Sequence, residues 1–252
     1  MKVQRKTVRI VFGIVIVLAI AGGCMIVYKS RAEPKSVAVS EYVETASYTG
    51  RDCQAVKPRQ VDEQYIDSLM SRMLEVYNEI RETDYQNWTD EEVAYTTQGK
   101  YTTAASWKEY LQEKYTEIER QNSRRDTGQM LLAEIASDSR LLGYDPDDYR
   151  EAEEYAEKQL IFGNGFSDKE DLLQELKWSE NEYQDRVEET AENILKLRYV
   201  VQAIAETEDL APSEAELAEA EKEYGEEIES WKEMITLDRV RKFLYENNRI
   251  KG

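Results

Sequence analysis

The sequence predicts an all-α protein, and three observations carry that expectation. Apolar residues recur at spacings of three and four over most of the chain, helix-capping patterns punctuate it, and the alternation expected of strands is almost absent. From Val61 to Thr83, Ile66, Leu69, Met70, Met73, Tyr77 and Ile80 mark one face of a long amphipathic helix. Thr89 caps a short helix whose first turn holds Asp90, Glu91 and Glu92, where the macrodipole favours acids. Thr103 opens a longer helix carrying Trp107, Tyr110, Leu111, Ile118, Leu131, Leu132 and Ile135, with a break or bend expected near Gly128.

Asp145-Pro146 supplies a cap and a proline at the first helical position. The helix it opens runs through Tyr149, Ala152, Ala156 and Leu160 and stops at Phe162-Gly163-Asn164-Gly165-Phe166. Three capping boxes follow, Ser167 with Glu170, Ser179 with Glu182 and Ser213 with Glu216, each starting a new helix. The middle helix carries Tyr183, Val187, Ala191, Ile194, Val201 and Ala205 on its expected inner face. A last helix, from about Trp231 to Asn247, carries Ile235, Val240, Phe243 and Leu244.

Composition excludes several chemistries. The 252 residues include no histidine and two cysteines, so there is no imidazole base, no imidazole metal ligand and no Cys₄ zinc site. Acids number 52 against 33 Lys and Arg. Residues 1–35 hold seven bases and one acid, and the remainder holds 26 bases and 51 acids. Such an acidic body would be repelled by a phosphate backbone, so nucleic acid is not expected as a partner.

Ile10 to Tyr28 is an uncharged run of 19 residues. At about 1.5 Å per residue it is long enough to cross a hydrocarbon layer of about 30 Å once. The preceding Lys2, Arg5, Lys6 and Arg9 favour an inside N-terminus, which puts the acidic body outside the cytoplasm. Residues 1–9 then form a cytoplasmic basic tail and 10–28 an uncleaved anchor. Cleavage near Ala19-Ile20-Ala21, or lipidation at Cys24 within Ala21-Gly22-Gly23-Cys24, are the alternatives. Residues 29–60 read as a linker, with Pro34 near its start, Pro58 near its end and a short extended piece around Val37 to Tyr48. Cys53, within it, is expected as a free surface thiol, an intermolecular disulfide being the alternative.

Candidate sites were tested against simpler accounts. Asp145, Asp147 and Asp148 lack the glycine that a calcium loop needs, Arg150 standing in its place, so helix capping accounts for them. Gly163-Asn164-Gly165 follows a helix and lacks the Lys-Ser/Thr of a phosphate loop. With 52 acids, no carboxylate pair is singled out for glycosidic chemistry. Trp107, Trp178 and Trp231 fit core positions or contacts with a bound polypeptide. Asn87-Trp88-Thr89 fits the short glycosylation pattern. No catalytic, cofactor-binding or metal-binding residue emerges.

Taken in order, the helices resemble the C-terminal chaperone region of trigger factor, the bacterial protein that shields nascent chains. The resemblance runs from Trp88-Thr89-Asp90-Glu91-Glu92-Val93 through Thr103 to Tyr115 and Leu131 to Gln159. It is closest over Trp178 to Pro212 and ends with Asp238 to Ile250. The helical chaperone domain of SurA-like proteins is similar in kind. The resemblance implies an elongated helical domain with arms over 88–252, preceded by the 61–83 helix. The family's ribosome-binding tail and FKBP-type isomerase core have no counterpart, so no enzyme activity and no cofactor are expected.

The expected function is that of a membrane-tethered, extracytoplasmic holdase that works without ATP on unfolded or newly secreted polypeptides. The alternative is a structural or adaptor protein binding one defined partner in a cell-envelope complex. Phe162, Phe166, Trp178, Tyr224 and Trp231, at helix ends or loops, are the expected client contacts.

Overall fold

The structure is a computed structural model that describes residues 38–224 and 228–252, with side chains omitted for Tyr224 and residues 228–230. The expected anchor, Ile10 to Tyr28, lies outside the described residues, as do Cys24 and the basic tail. Among the described residues no helix is long and apolar enough to cross a membrane.

Eight α-helices are found among the described residues. They are α1 (Glu63–Arg81), α2 (Asp90–Thr96), α3 (Ala104–Asp138), α4 (Pro146–Ile161), α5 (Lys169–Leu176), α6 (Glu180–Thr207), α7 (Glu214–Tyr224) and α8 (Ile228–Glu246). Four short strands join them: β1 (Val43–Glu44), β2 (Asp52–Gln54), β3 (Arg140–Leu141) and β4 (Arg249–Lys251). The chain is mostly helical, as expected.

Two units divide the chain, and Ala38–Ala211 with Ile235–Gly252 form the larger. It holds two hydrophobic cores strung along α3. The first gathers the C-terminal half of α3 (Leu131, Leu132, Ile135), Ala152 and Ala156 of α4, Leu172 of α5, the inner face of α6, and Val240 and Leu244 of α8. The second is a head built from Ile66 and Met70 of α1, Val93 of α2, and Trp107, Leu111 and Tyr115 from the N-terminal half of α3. Within the described part of the smaller unit, α7 is opened by Ser213. The Ser213 amide donates to Glu216 Oε2 at 2.8 Å, and the Glu216 amide donates to Ser213 Oγ at 3.4 Å.

Most helix starts fall where the capping residues predict. The amides of Ser106, Asp147 and Glu182 donate to the side chains of Thr103, Asp145 and Ser179, and Asp62, which the sequence reading did not single out, caps α1 through the Tyr65 amide. Ser179 and Glu182 form a reciprocal box, which holds the Glu182 carboxyl below the usual carboxylate range. The box expected at Ser167 slips by one residue. Asp168 is the cap, taking the Asp171 amide at 2.9 Å, while Asp171 accepts from the Ser167 amide and hydroxyl.

Three further expectations are corrected. First, α3 runs unbroken through Gly128. A Cβ at Gly128 would lie 2.3 Å from the backbone oxygen of Arg241, so the glycine admits α8 at close range instead of bending α3. Second, the buried face of α6 runs through Leu195, Tyr199, Val200 and Ile204, while Ile194 and Val201 are half-buried. In α1 the buried residues are Ile66, Met70 and Leu74, and Ile80 is exposed.

Third, Cys53 is buried. Burial, with the Glu134 charge adding, pushes its thiol up. The cause is that part of the expected linker belongs to the body. Strand β1 pairs antiparallel with β3 through Val43 and Leu141, and β2 pairs parallel with β4 through Cys53 and Ile250. The Val56 amide donates to Thr127 Oγ1 of α3 at 2.9 Å. The Gly50 amide donates to the Asn247 carbonyl at 3.0 Å, and Asn248 Nδ2 donates to the Tyr48 carbonyl at 3.0 Å.

Candidate functional site

Helices α4 and α6 pack side by side, and near the end of α4 the chain turns away through Phe162–Asn164. Gly165 ends this turn with φ +83, in the left-handed region that glycine enters without steric cost. The chain then enters α5, leaves it through Lys177 at φ +55, and meets the start of α6 at the Ser179 cap. The two left-handed joints leave an open cleft between the end of α4, the end of α5 and the first turns of α6. Its lining includes Leu160, Asn164, Leu176, Trp178, Arg186 and Thr190.

The walls are part apolar and part polar. Leu172, fully buried, anchors α5 to the core, and Trp178 and Phe166 pack against that core while remaining half-buried. Leu176 is 42 % exposed and Phe162 is 62 % exposed, so large apolar side chains face solvent near the cleft. The Arg186 guanidinium lies 5.9 Å from the Trp178 ring and pairs with Glu189 at 3.1 Å. Asn164 Nδ2 donates to the Leu160 carbonyl at 2.9 Å, closing the end of α4. Lys169 pairs with Glu180, which raises its pKa, and its ammonium sits 4.5 Å over the Tyr183 ring.

A half-buried polar network holds the other end of the α4–α6 pair. Tyr199 donates its hydroxyl proton to Asp148 Oδ2 at 2.8 Å, and Arg198 pairs with Asp148 at 3.3 Å and Glu151 at 3.6 Å. Tyr42 stacks on Tyr199 with centroids 5.2 Å apart. Burial, then the bond to Asp148, pushes the Tyr199 phenol well above its ordinary range. Asp145 and Asp148 are thus engaged in capping and in this network. The cleft itself offers no nucleophile paired with a base; what it can do is hold an extended apolar segment against a partly polar wall.

Of the five client-contact residues expected from sequence, Trp178 lines the cleft. Phe166 packs against the larger core, and Phe162 stands exposed on the turn after α4. Tyr224 ends α7, where its side chain is not described, and Trp231 lies half-buried on α8 in the smaller unit. Sequence reasoning missed Leu160, Asn164, Leu176, Arg186 and Thr190. Each looks like an ordinary helix residue, and only the fold of α5 against α6 makes them neighbours.

These features define a helical domain with an open, apolar-edged cleft at the α4–α5–α6 end. Residues 150–252 match the family model for the bacterial trigger factor protein (TF) C-terminus. This part of the chain, which carries the whole cleft, is similar to that chaperone domain. The match includes the stretches Trp178 to Pro212 and Asp238 to Ile250, and it leaves the head outside. No curated protein matches the chain.

Proposed function

We propose that the protein is a membrane-tethered, extracytoplasmic holdase that binds unfolded or newly secreted polypeptides without consuming nucleotide. The observation that carries this reading is the coincidence of the segment similar to the trigger factor C-terminus with the open, apolar-edged cleft at the α4–α5–α6 end. Between residues 147 and 192 there are sixteen acids and five bases. A client segment that is apolar and carries basic residues therefore suits both the cleft and its surroundings. Individual contacts are weak, and affinity comes from several of them along one client. Tethering rests on the Ile10–Tyr28 run and its basic flank. Prolyl isomerisation is not part of the proposal.

The test uses a fragment from Ser36 to Gly252, added at rising ratios to two unrelated, chemically unfolded clients while light scattering follows aggregation. The holdase reading expects suppression near stoichiometric ratios for both. A doubly substituted Phe162→Ser, Leu176→Ser fragment is expected to need several-fold more protein at an unchanged melting temperature. A well-folded fragment that suppresses neither client would sink the general-chaperone reading. A reporter fused after Gly252 tests the topology, and cytoplasmic reporter activity would overturn the extracytoplasmic placement.

A further inference from the structure

Between Ile118, which packs on the head, and Met130, α3 carries no large apolar side chain. Helix turns that are polar all round do not build a core and mark a bridge between packed regions. One side of this bridge is covered by the chain that leads into α1. The Ser123 hydroxyl donates to the Val56 carbonyl, and the Val56 amide donates to Thr127 Oγ1 at 2.9 Å. Further along, Gln112 Nε2 donates to the Val61 carbonyl at 3.3 Å. Residues 57–60 therefore form a strap along the middle turns of α3, opposite to it in direction.

The side chains brought together are basic. Arg120, Ser123, Arg124 and Thr127 stand three and four apart, so the two arginines share the face on which the hydroxyls hold the strap. Lys57, Arg59, Arg120 and Arg124 are all exposed. Over residues 57–60 and 117–126 five bases stand against three acids, whereas residues 36–252 as a whole hold 26 bases and 51 acids.

The acids at hand engage these cations loosely. Arg120 meets Glu117 at 3.7 Å and Arg125 meets Asp126 at 3.9 Å, while Arg59 lies 4.7 Å from the centre of the Tyr65 ring. Among the described residues Lys57 and Arg124 have no ion-pair partner. Exposed ion pairs of this kind contribute little, and like charges at i and i+4 destabilise a helix. The cluster is therefore unfavourable as it stands and is relieved by an anion laid across it.

We propose that this basic waist of α3 binds an acidic stretch of an extended polypeptide. Each guanidinium can pair with a carboxylate through two parallel N–H donors. Arg120 and Arg124 stand one helical turn apart, about 6 Å, close to the roughly 7 Å between alternate side chains of an extended segment. An anionic lipid surface suits the waist less well, because it would also meet the acidic body around it, whereas a single segment touches the waist alone. The waist lies outside the 150–252 match and complements the acidic surroundings of the cleft, which favour basic segments. It rests on the holdase reading in one respect, that the acidic stretch belongs to an unfolded polypeptide.

The test uses the full chain in a neutral detergent and two fluorescent glycine-serine peptides of equal length. One carries glutamates at alternate positions, the other glutamines in their place. Anisotropy is expected to show the glutamate peptide binding at least about tenfold more tightly, with the preference fading as salt rises from about 50 to about 300 mM. Arg120→Ser with Arg124→Ser is expected to erase the preference without lowering the melting temperature. Arg140→Ser with Arg150→Ser removes the same charge from exposed sites elsewhere and is expected to keep it. Lys57→Ser with Arg59→Ser, on the strap, repeats the test without touching α3.

Equal binding of the two peptides would overturn the proposal. So would a preference that survives both waist variants, or one that the Arg140 and Arg150 variant also loses, which would make it an effect of net charge. Displacement of the glutamate peptide by phosphatidylglycerol added to the micelles would assign the waist to lipid. Self-association of the parent that the waist variants abolish would assign it to a second copy, and either result overturns the polypeptide. The assay contains no unfolded protein. Failed suppression of aggregation with the glutamate preference intact therefore removes the holdase reading and leaves the waist standing.

Discussion

The two cores strung on α3 are built in opposite ways. The head draws on a continuous stretch, from Val61 to Ile118, and its buried side chains are six, two of them aromatic. The larger core draws Val43 and Cys53 from near the start of the described chain and Val240 and Leu244 from near its end. It ties those distant segments together through β1–β3 and β2–β4. A contiguous unit closes short loops and can open by itself, whereas the larger core must close loops of nearly two hundred residues before its strands pair. The head is therefore the separable element, and the cleft belongs to the part with the most long-range support.

The sharpest way to separate them is Trp107→Ala, which empties the centre of the head. Its ring packs edge-on to Trp88 with centroids 4.9 Å apart. A cost of about 4 kcal/mol is expected. Hydrogen exchange should show fast amides across 63–118 while those of α4 and α6 stay protected, and equal loss of protection in both regions would break the comparison.

Next in size is Gly128→Ala on the same helix. The new Cβ meets the Arg241 backbone, which cannot rotate away, so α3 and α8 must separate at a cost of about 3 kcal/mol. Urea unfolding should show the larger core weakened, with head signals following only at its global transition.

Tyr199→Phe removes a buried hydroxyl's bond to Asp148, and about 1.5 kcal/mol should be lost at pH 7. The same group gives a pH dependence. Its folded pKa lies above the unfolded value of about 10, so its contribution is complete below pH 10. Above that, the unfolded state sheds the proton first and stability falls as pH rises. Thermal melts of Tyr199→Phe above pH 10 should decline less steeply than those of the parent.

The smallest effect is expected at Ser179→Ala, about 1 kcal/mol, from loss of the cap of α6. The folded Glu182 carboxyl is held below its ordinary range. Its contribution is therefore present at neutral pH and lost on acidification through the folded value. The stability difference between the parent and Ser179→Ala should narrow, without vanishing, as pH falls through that lowered value.

Much of this architecture was legible from local chemistry. The caps at Thr89, Thr103, Asp145 and Ser179 could be read because each acts on amides two or three residues away. The inner residues Tyr183, Val187 and Ala191 could be read because helical periodicity needs no partner. What failed was whatever depends on a neighbour distant in sequence. Gly128 looks like a helix breaker until Arg241 is placed against it, and Cys53 looks exposed until β4 covers β2. The slipped cap at Asp168 turns on which of two adjacent oxygens reaches the Asp171 amide.

The candidate sites divide in the same way. Phe162, Phe166 and Trp178 were marked by their places at helix ends, yet the cleft also needs Leu160, Leu176, Arg186 and Thr190, which α5 brings together by folding back. Glu92 reads as an ordinary first-turn acid, favoured there by the helix dipole. Its burial is decided by the packing of α2 within the head. The sequence by itself determined where helices begin and which faces are apolar, because capping and periodicity act within a few residues. The tertiary structure alone decided which polar groups are buried and which apolar ones are left out, because burial depends on every element that packs nearby.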